Sequence, residues 1–422
     1  MRKRTGLVFT FLFVCVCLFF TACQRKDRST ETVPPAEKPT IKFYGKIVEY
    51  SSGEPITAAL TEALKDKYKV ECLQVDWGNL DQVIRTGIAS GQPCDIYNYW
   101  PQYMNLYVRE GMALDLTPYL DANNGEWRKT FNANLLKIAE FEGKVYNIPI
   151  TSNFPTILVN VDLFKQAGIE VPQKWTWDEF LSICKSLKDK GIFPFANPTD
   201  NQKQHWFFSS GVLSLGKGRG LLEDLAAGKV PCTDPLFREA LDKTRDLYDK
   251  GYMYPGEGAV SLTTDESRAA FSQGKVALSA EVAAGIVSVI DSAPFETMVV
   301  EWPSMGSESV TLGGCDGLFI PSNVADPEAA VAVLKEYTSA RIQQINIDNG
   351  FAVAIDTVNI QDETIKSIMA ASSNVYPYEF YSISPELNDY VISQLLAELI
   401  LGGGAEACIR QMETLRQSAI AK

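Results

Sequence analysis

The sequence has 422 residues, of which 46% are hydrophobic and 22% are charged, and these proportions are ordinary for a globular protein. At about 150 residues per domain, this length predicts two or three domains. The 39 basic and 52 acidic residues give a net charge of −13, which disfavours a nucleic acid as partner. His205 is the single histidine, so a zinc or iron site built on two imidazoles is excluded.

Residues 1–22 are predicted to be a signal peptide. Basic residues at positions 2–4 precede an apolar run at 7–20, which is shorter than the roughly 20 residues of a membrane-spanning helix. The run ends in FTAC, which resembles a bacterial lipobox, so we expect Cys23 to become a lipidated N-terminus. The alternative is a plain secretory signal in which Cys23 is incidental. The lipid would anchor the exported chain to the outer face of the cell membrane.

Residues 23–40 are polar, contain prolines and lack periodicity, which predicts a flexible tether. Six cysteines follow the tether at wide and irregular spacings, without a C-x-x-C pair: Cys72, Cys94, Cys184, Cys232, Cys315 and Cys408. This pattern gives no support to zinc ribbons, iron–sulfur clusters or redox dithiols. We expect most of the six to be small buried hydrophobes.

The body of the chain begins with alternating strand and helix patterns. The strand-like run IKFYGKI at 41–47 precedes a helical pattern, and VECLQVDW at 70–77 is a second strand-like run. A helix over about 80–90 and the strand DIYNYW at 95–100 repeat the unit. This alternation predicts an α/β fold with a mostly parallel sheet that helices cover on both faces.

Helix signals continue along the chain. The segment TWDEFLSICKSLKDKG has Thr176 as N-cap, Glu179 as the other half of a capping box and Gly191 as stop. Asp-Pro pairs at 234–235 and 326–327 predict the starts of two further helices. The last sixty residues are almost wholly helical by pattern.

Motifs for catalysis are weak or missing. The GKGRG run at 216–220 lacks the spacing of a dinucleotide-binding loop, and no G-x-S-x-G occurs. No cofactor or metal ion is expected. Paired carboxylates for glycoside hydrolysis cannot be judged from an acidic sequence, because only their separation in space is diagnostic. An exported glycoside hydrolase therefore stays open at this point.

Six segments in order carry a resemblance to a known family. They are IASGQPCDIYNYW at 88–100, GMALDLTPYLD at 111–121, EGKVYNIPI at 142–150, ILVNVDLFKQAGIEVPQKWTWDEFLSICKSLKDKG at 157–191, AFSQGKVAL at 270–278 and LGGCDGLFIPSNVADPEAAVAVLKEYTS at 312–339. Together they resemble the extracellular solute-binding proteins of ABC transporters, in particular the carbohydrate-binding, maltose-binding-protein-like group. The resemblance covers about residues 41–354.

The resemblance implies an α/β, two-lobed periplasmic-binding-protein-like fold with hinge strands and an interlobe ligand cleft. By analogy, residues 41–150 and 314–353 form lobe one, and residues 151–313 and 354–422 form lobe two. Such a protein is a monomer without enzymatic activity that delivers a mono- or oligosaccharide to the transmembrane subunits of an ABC importer. The alternative within the same fold is a protein for a non-sugar solute, or one with a sensory role.

The resemblance also implies ligand-binding residues on loops at the carboxyl ends of strands. Carried over one position at a time, they are Glu49, Tyr50, Trp77, Asn98, Trp100, Thr151, Asn153, His205, Trp206, Glu281, Asp316 and Tyr376, with Tyr378 and Phe380 beside the last. Aromatic rings suit the C–H faces of sugar rings, and amides and carboxylates bond hydroxyls. The structural alternative is that the tryptophans belong to the core, the asparagines to turns, the acids to the surface, and that His205 is structural.

Two positions depart from the family pattern. Cys94 interrupts the usual Pro-Asp pair of the turn before the strand at 95–100, which puts the register of Asn98 and Trp100 in question. Glu281 stands where the family often has Gly-Trp, so an aromatic platform is replaced by a charge. The candidate loops hold no cluster of Arg or Lys, which disfavours an anionic ligand.

Overall fold

The computed structural model describes residues 38–45, 47, 52–76, 79–172, 174–216, 220–307, 310–371, 375–377, 380 and 383–420. The predicted signal peptide, Cys23 and most of the tether lie outside the described residues. Residues 39–422 form one compact unit. Within the described ranges, no helix combines the length and the apolar character that crossing a membrane requires.

Two larger sheets and a two-stranded one organise the described residues. Their strands are β1 (Thr40–Tyr44), β2 (Lys69–Leu73), β3 (Ile96–Tyr99), β4 (Glu140–Phe141), β5 (Lys144–Val145), β6 (Ile148–Asn153), β7 (Pro155–Asn160), β8 (Phe193–Ala196), β9 (Val276–Val282), β10 (Thr297–Val300), β11 (Thr311–Phe319) and β12 (Val375–Pro377).

Helices cover these sheets. They are α1 (Gly53–Leu64), α2 (Leu80–Ala89), α3 (Asn105–Arg109), α4 (Thr117–Gly125), α5 (Ala133–Ile138), α6 (Val161–Ala167), α7 (Trp177–Asp189), α8 (Trp206–Leu215), α9 (Leu221–Ala226), α10 (Pro235–Asp249), α11 (Thr264–Ser272), α12 (Ile286–Ser292), α13 (Pro327–Tyr337), α14 (Ala340–Asp348), α15 (Glu363–Ala371), α16 (Pro385–Ser393), α17 (Leu395–Leu401) and α18 (Gly404–Ile420).

The sheets are mixed rather than mostly parallel. In the six-stranded sheet, with the order β12-β11-β3-β1-β2 and β6 paired to β11, β1 is parallel to both β2 and β3. β11 runs antiparallel to β3 and β6. The four-stranded sheet has the order β10-β7-β9-β8, and β7 is antiparallel to both of its neighbours. The prediction of a mostly parallel sheet is therefore confirmed for β1, β2 and β3. It is wrong for β7 and for the pairing of β11 with β3 and β6.

Two lobes follow from this topology: lobe one is built on the six-stranded sheet and lobe two on the four-stranded sheet. The chain passes from lobe one to lobe two between β6 and β7, where Phe154 is the single residue that separates the two strands. β11 pairs with β12 at its first residues and with β6 and β3 further along. An isolated bridge joins Thr151 to Val353. The residue boundaries given above for the lobes remain a prediction.

The local helix signals are confirmed. Thr176 Oγ1 accepts from the backbone N–H of Glu179 at 3.3 Å, and the Glu179 carboxylate accepts from the backbone N–H of Thr176 at 2.8 Å. Asp234 caps α10, and Asp326 caps α13, each through a carboxylate oxygen. Four of the six described cysteines are buried, as expected of small hydrophobes.

The hydrophobic core is continuous between the lobes. One cluster contains residues of the six-stranded sheet, such as Ile41 and Phe43, together with Phe154 and buried residues of α11 and α12. A second fills lobe two around α7 and α8. A third cluster, rich in aromatic residues, lies in lobe one around Tyr97, Tyr99 and Tyr107. This third cluster lies behind one wall of the cleft described below.

Gly313 and Gly314 in β11 differ in what a side chain would meet. A Cβ at Gly313 would lie 2.6 Å from the Cβ of Phe154 and 2.8 Å from the carbonyl oxygen of Asn153, whereas at Gly314 the nearest atoms belong to the flexible amide of Gln102. We expect Gly313→Ala to lower the free energy of unfolding by about 1–3 kcal/mol, because backbone and Cβ atoms cannot swing aside. Gly314→Ala is the matched control and should cost less. Urea unfolding measures both, and equal losses would contradict the close approach.

Candidate ligand-binding cleft

A cleft of about 410 Å³ lies where β6 and β11 meet, and residues of both lobes line it. Its floor is formed by the end of β6, the start of β7 and residues 312–315 of β11. One wall comes from α2 and the turn after β3, and the facing wall comes from residues 201–206 and from α16. A site with this construction can enclose a small molecule between two lobes.

The wall from lobe one is aromatic. Trp100 follows β3 directly and is half-buried, and its ring centroid lies 5.5 Å from that of Tyr99 and 5.8 Å from that of Tyr103. Pro101 opens a 3₁₀ turn that brings Gln102 and Tyr103 into the cleft. The strand ends at this point because proline cannot donate to the sheet.

Amide groups lie on the floor. Asn153 ends β6, and its Oδ1 is buried and accepts no hydrogen bond from any described residue. Gln102 Oε1 accepts from the backbone N–H of Cys315 at 3.4 Å, which joins the turn after β3 to β11. A buried acceptor without a partner is costly, so the Asn153 amide oxygen is a position where a ligand hydroxyl would be favourable.

The wall from lobe two combines aromatic, amide and charged groups. Asn201 and Gln202 have φ values of +48° and +63°, a left-handed backbone that is uncommon for residues other than glycine. The hydrogen bond from the backbone N–H of Thr264 to Asp200, at 3.0 Å, holds the start of this segment. Trp206 begins α8 and packs against Trp302 with 6.1 Å between ring centroids.

Lys203 is a buried cation in this wall. The residue is 8% exposed, and its Nζ donates to Thr264 Oγ1 at 2.5 Å. The Thr264 hydroxyl in turn donates to Asp200 at 2.6 Å. Burial lowers the pKa of Lys203, whereas Glu281 and Asp200 raise it. Lys203 is the one Lys or Arg among the described residues that line the cleft, so it is a single cation and not a cluster. The nearby carboxylates offset the charge, so Lys203 does not by itself call for an anionic ligand.

Four of the predicted ligand-binding residues line the cleft: Trp100, Asn153, His205 and Trp206. Three lie outside the described residues: Glu49, Tyr50 and Trp77. Five are described but are not part of the cleft wall: Asn98, Thr151, Glu281, Asp316 and Tyr376. Tyr378 is not among the described residues either.

Glu281 is held by lobe two rather than presented to the cleft. The residue is 2% exposed; one carboxylate oxygen accepts from Arg268 Nε at 2.6 Å and the other from the backbone N–H of Val282 at 2.8 Å. Asp316 is held in a similar way by the Thr151 hydroxyl, at 3.2 Å, across the pairing of β6 with β11. These residues supply internal hydrogen bonds to the fold.

Asn98 is not part of the cleft wall, whereas Trp100 is. Asn98 is fully buried within β3, opposite Leu318 of β11, whereas Trp100 lies one residue beyond the end of the strand. Tyr99 lines the cleft instead of Asn98. Phe380 is also misplaced by the prediction, because its buried ring stacks on Phe208 in the core of lobe two.

Sequence reasoning missed other parts of the wall. The turn residues Gln102 and Tyr103 follow Trp100 directly, and their position after a strand end was a usable signal. The segment 201–203 likewise follows the strand β8, two to four residues ahead of His205. No local signal marks Asn388, Asp389 and Ile392, because α16 reaches the cleft only through the tertiary fold.

His205 is a buried neutral imidazole. Its Nδ1 lies 2.8 Å from Ser209 Oγ, and the residue is 6% exposed. Burial lowers the pKa of His205 to about 3. Since the unfolded chain binds a proton here below about pH 6.5, the folded state loses stability as the pH falls from there towards 3.

We therefore expect acidification from pH 7 to pH 5 to lower the free energy of unfolding, with His205 contributing about 2 kcal/mol of the loss. His205→Gln should show a shallower dependence over the same range, because the glutamine does not titrate. Urea unfolding at several pH values compares the two proteins. Parallel curves would contradict a buried neutral His205.

The comparisons with known proteins agree with this architecture. The sequence model of the family described as bacterial extracellular solute-binding protein matches residues 49–344. The multiple sugar-binding protein of Streptococcus mutans serotype c is 24% identical over 375 residues, which are 84% of this chain and 83% of that protein.

Solved structures share the fold. A chitin oligosaccharide binding protein superposes with a TM-score of 0.74 at 22% identity, over 91% of this chain and 100% of that one. The apo form of RafE from Streptococcus pneumoniae superposes with a TM-score of 0.75 at 21% identity, over 92% and 99%. The predicted two-lobed α/β fold is thus confirmed. The chain belongs to the family of bacterial extracellular solute-binding proteins.

Proposed function

We propose that this protein captures a mono- or oligosaccharide in the cleft and delivers it to the transmembrane subunits of an ABC importer. The observation that carries the proposal is the composition of the walls, where Trp100, Tyr103 and Trp206 accompany amide side chains. Aromatic rings pack on the C–H faces of sugar rings, and amides exchange hydrogen bonds with hydroxyls. Both kinds of group converge from two lobes on one cavity.

The charges of the wall support the same ligand class. Asp81 lies on the wall from lobe one and Lys203 on the wall from lobe two. A hydroxyl group both donates and accepts, so a polyol can satisfy an acceptor on one wall and a donor on the other. An ammonium group only donates and a carboxylate only accepts. A neutral sugar therefore fits the two walls better than a simple cation or anion.

The relatives support a carbohydrate as well. One is named a multiple sugar-binding protein, one a chitin oligosaccharide binding protein, and RafE has also been solved in complex with raffinose. Family membership implies an extracytoplasmic location. The lipid anchor at Cys23 is part of our proposal and rests on the FTAC run and the polar segment that follows it.

The function is tested by a thermal-shift screen of raffinose, maltotriose, xylotriose and triacetylchitotriose. A sugar at a hundred times its dissociation constant should stabilise the folded state by about 2.7 kcal/mol. A wild-type protein that none of these or other saccharides stabilises would contradict the proposal.

Trp100→Ala should then raise the dissociation constant of the sugar found in the screen more than about tenfold, as a ring stacked on the ligand is lost. Because Trp100 is only half-buried, stability should change little. Trp127→Ala is the matched control: Trp127 is buried beside Phe131, outside the cleft, so its truncation should cost about 3–5 kcal/mol of stability and leave the affinity of the folded protein unchanged. Calorimetric titration and urea unfolding separate the two effects, and tight binding by Trp100→Ala would remove Trp100 from the site.

Cys23→Ala should abolish acylation, and the protein should be released or left uncleaved. Firm anchoring takes two acyl chains or more, because a single chain binds a membrane only marginally. Intact mass spectrometry and membrane fractionation of wild type and variant provide the measurement. Cys17→Ala, inside the predicted signal peptide, is the control and should leave acylation unchanged. Wild-type protein that carries no acyl group on Cys23 would contradict the anchor.

A further inference from the structure

Asp81 is a cleft carboxylate whose position is set by two buried phenols. It lies in the first turn of α2 and lines the cleft. Tyr99 Oη donates to Asp81 Oδ1 at 2.9 Å, and Tyr107 Oη donates to the same oxygen at 2.5 Å. Both hydrogen bonds end on Oδ1, and no described residue donates to Oδ2. That oxygen keeps its capacity to accept.

Tyr107 does not itself line the cleft. It is 1% exposed, in α3, and its ring packs on Tyr99 with 4.9 Å between centroids and on Phe319 with 5.6 Å. Burial and the Asp81 carboxylate raise the pKa of Tyr107, so its hydroxyl stays protonated and remains a donor at neutral pH. A phenol in a packed aromatic cluster has little freedom to turn away from its acceptor.

The neighbouring cation, Arg85, does not supply the hydrogen bonds that orient the Asp81 carboxylate. The Arg85 guanidinium lies 4.9 Å from the centroid of the Tyr107 ring, and its Nη1 donates to Glu110 at 2.6 Å. The Arg85 charge is therefore paired with Glu110, and the hydrogen bonds that fix the Asp81 carboxylate come from the two phenols. A ligand meets a carboxylate that is already oriented.

We propose that Asp81 is a specificity-determining residue that accepts a hydrogen bond from a ligand hydroxyl through Oδ2, and that Tyr107 is its positioning residue. This inference rests on the proposed function, because it assigns one contact within the same cleft. Fixing the carboxylate before the ligand arrives reduces the ordering cost of binding. A charged acceptor also forms a stronger hydrogen bond with a hydroxyl than a neutral one does.

The test uses calorimetric titration of raffinose, maltotriose and triacetylchitotriose into the full mature chain. Tyr107→Phe removes one O–H and keeps the ring, so we expect about a five- to twentyfold rise in the dissociation constant. Tyr97→Phe is the matched control, because the Tyr97 hydroxyl lies in the same aromatic cluster but accepts from the backbone N–H of Cys94 at 2.9 Å. It should bind as the wild type does. Urea unfolding verifies that each variant is folded.

A double-mutant cycle separates positioning from a general loosening of the wall. Asp81→Ala should weaken binding and change the ranking of the three sugars, and Tyr107→Phe should shift that ranking in the same direction. Added to Asp81→Ala, Tyr107→Phe should have no further effect on affinity. An equal loss from Tyr107→Phe in both backgrounds would overturn the positioning role.

The outcomes also separate this inference from the function on which it rests. Wild-type affinity in Asp81→Ala, together with weak binding by Trp100→Ala, would overturn the role of Asp81 and leave sugar capture supported. A wild-type protein that binds no saccharide would overturn both. Tyr97→Phe that binds as weakly as Tyr107→Phe would overturn the inference, because the loss would then follow from any change in the aromatic cluster.

Discussion

The antiparallel pairing of β6 with β11 is the constraint on which the other features depend. It sets Gly314 opposite Asn153 and Cys315 opposite Ser152, with a register shift between Asp316 and Gly317. The same residues form the floor of the cleft and the connection between the lobes. A ligand on this floor would therefore contact the segment that joins the two lobes.

The walls are fixed by internal hydrogen bonds before any ligand arrives. In lobe two, the chain of bonds from Lys203 through Thr264 to Asp200 holds the left-handed turn at 201–202. In lobe one, the aromatic cluster beneath Trp100 supports the 3₁₀ turn. Backbone strain of this kind persists only where the surroundings determine the conformation. The site is thus built from loops, and its rigidity comes from the lobes beneath them.

Local chemistry explains which features the sequence predicts well. The capping box of α7 involves residues three apart, and the Asp-Pro starts of α10 and α13 are equally local, so all are predictable. Glu281 shows the opposite case, because nothing near it in sequence reveals its ion pair with Arg268, thirteen residues away and on another element. Trp100 was predicted from its place at the carboxyl end of a strand, and it lies one residue beyond β3 in the wall of the cleft. The contribution of α16 depends on long-range packing and has no local signal.

The polar groups of the cleft also explain why a neutral, hydroxyl-rich ligand suits an acidic protein. The chain carries a net charge of −13, yet the buried charges at the site are matched within it: Glu281 by Arg268, and Lys203 by Asp200 and Glu281. Matching limits the desolvation cost of burying these groups. What the cleft offers is a set of oriented donors and acceptors beside aromatic faces. A sugar uses both, because each hydroxyl can donate on one wall and accept on the other while the ring packs on Trp100.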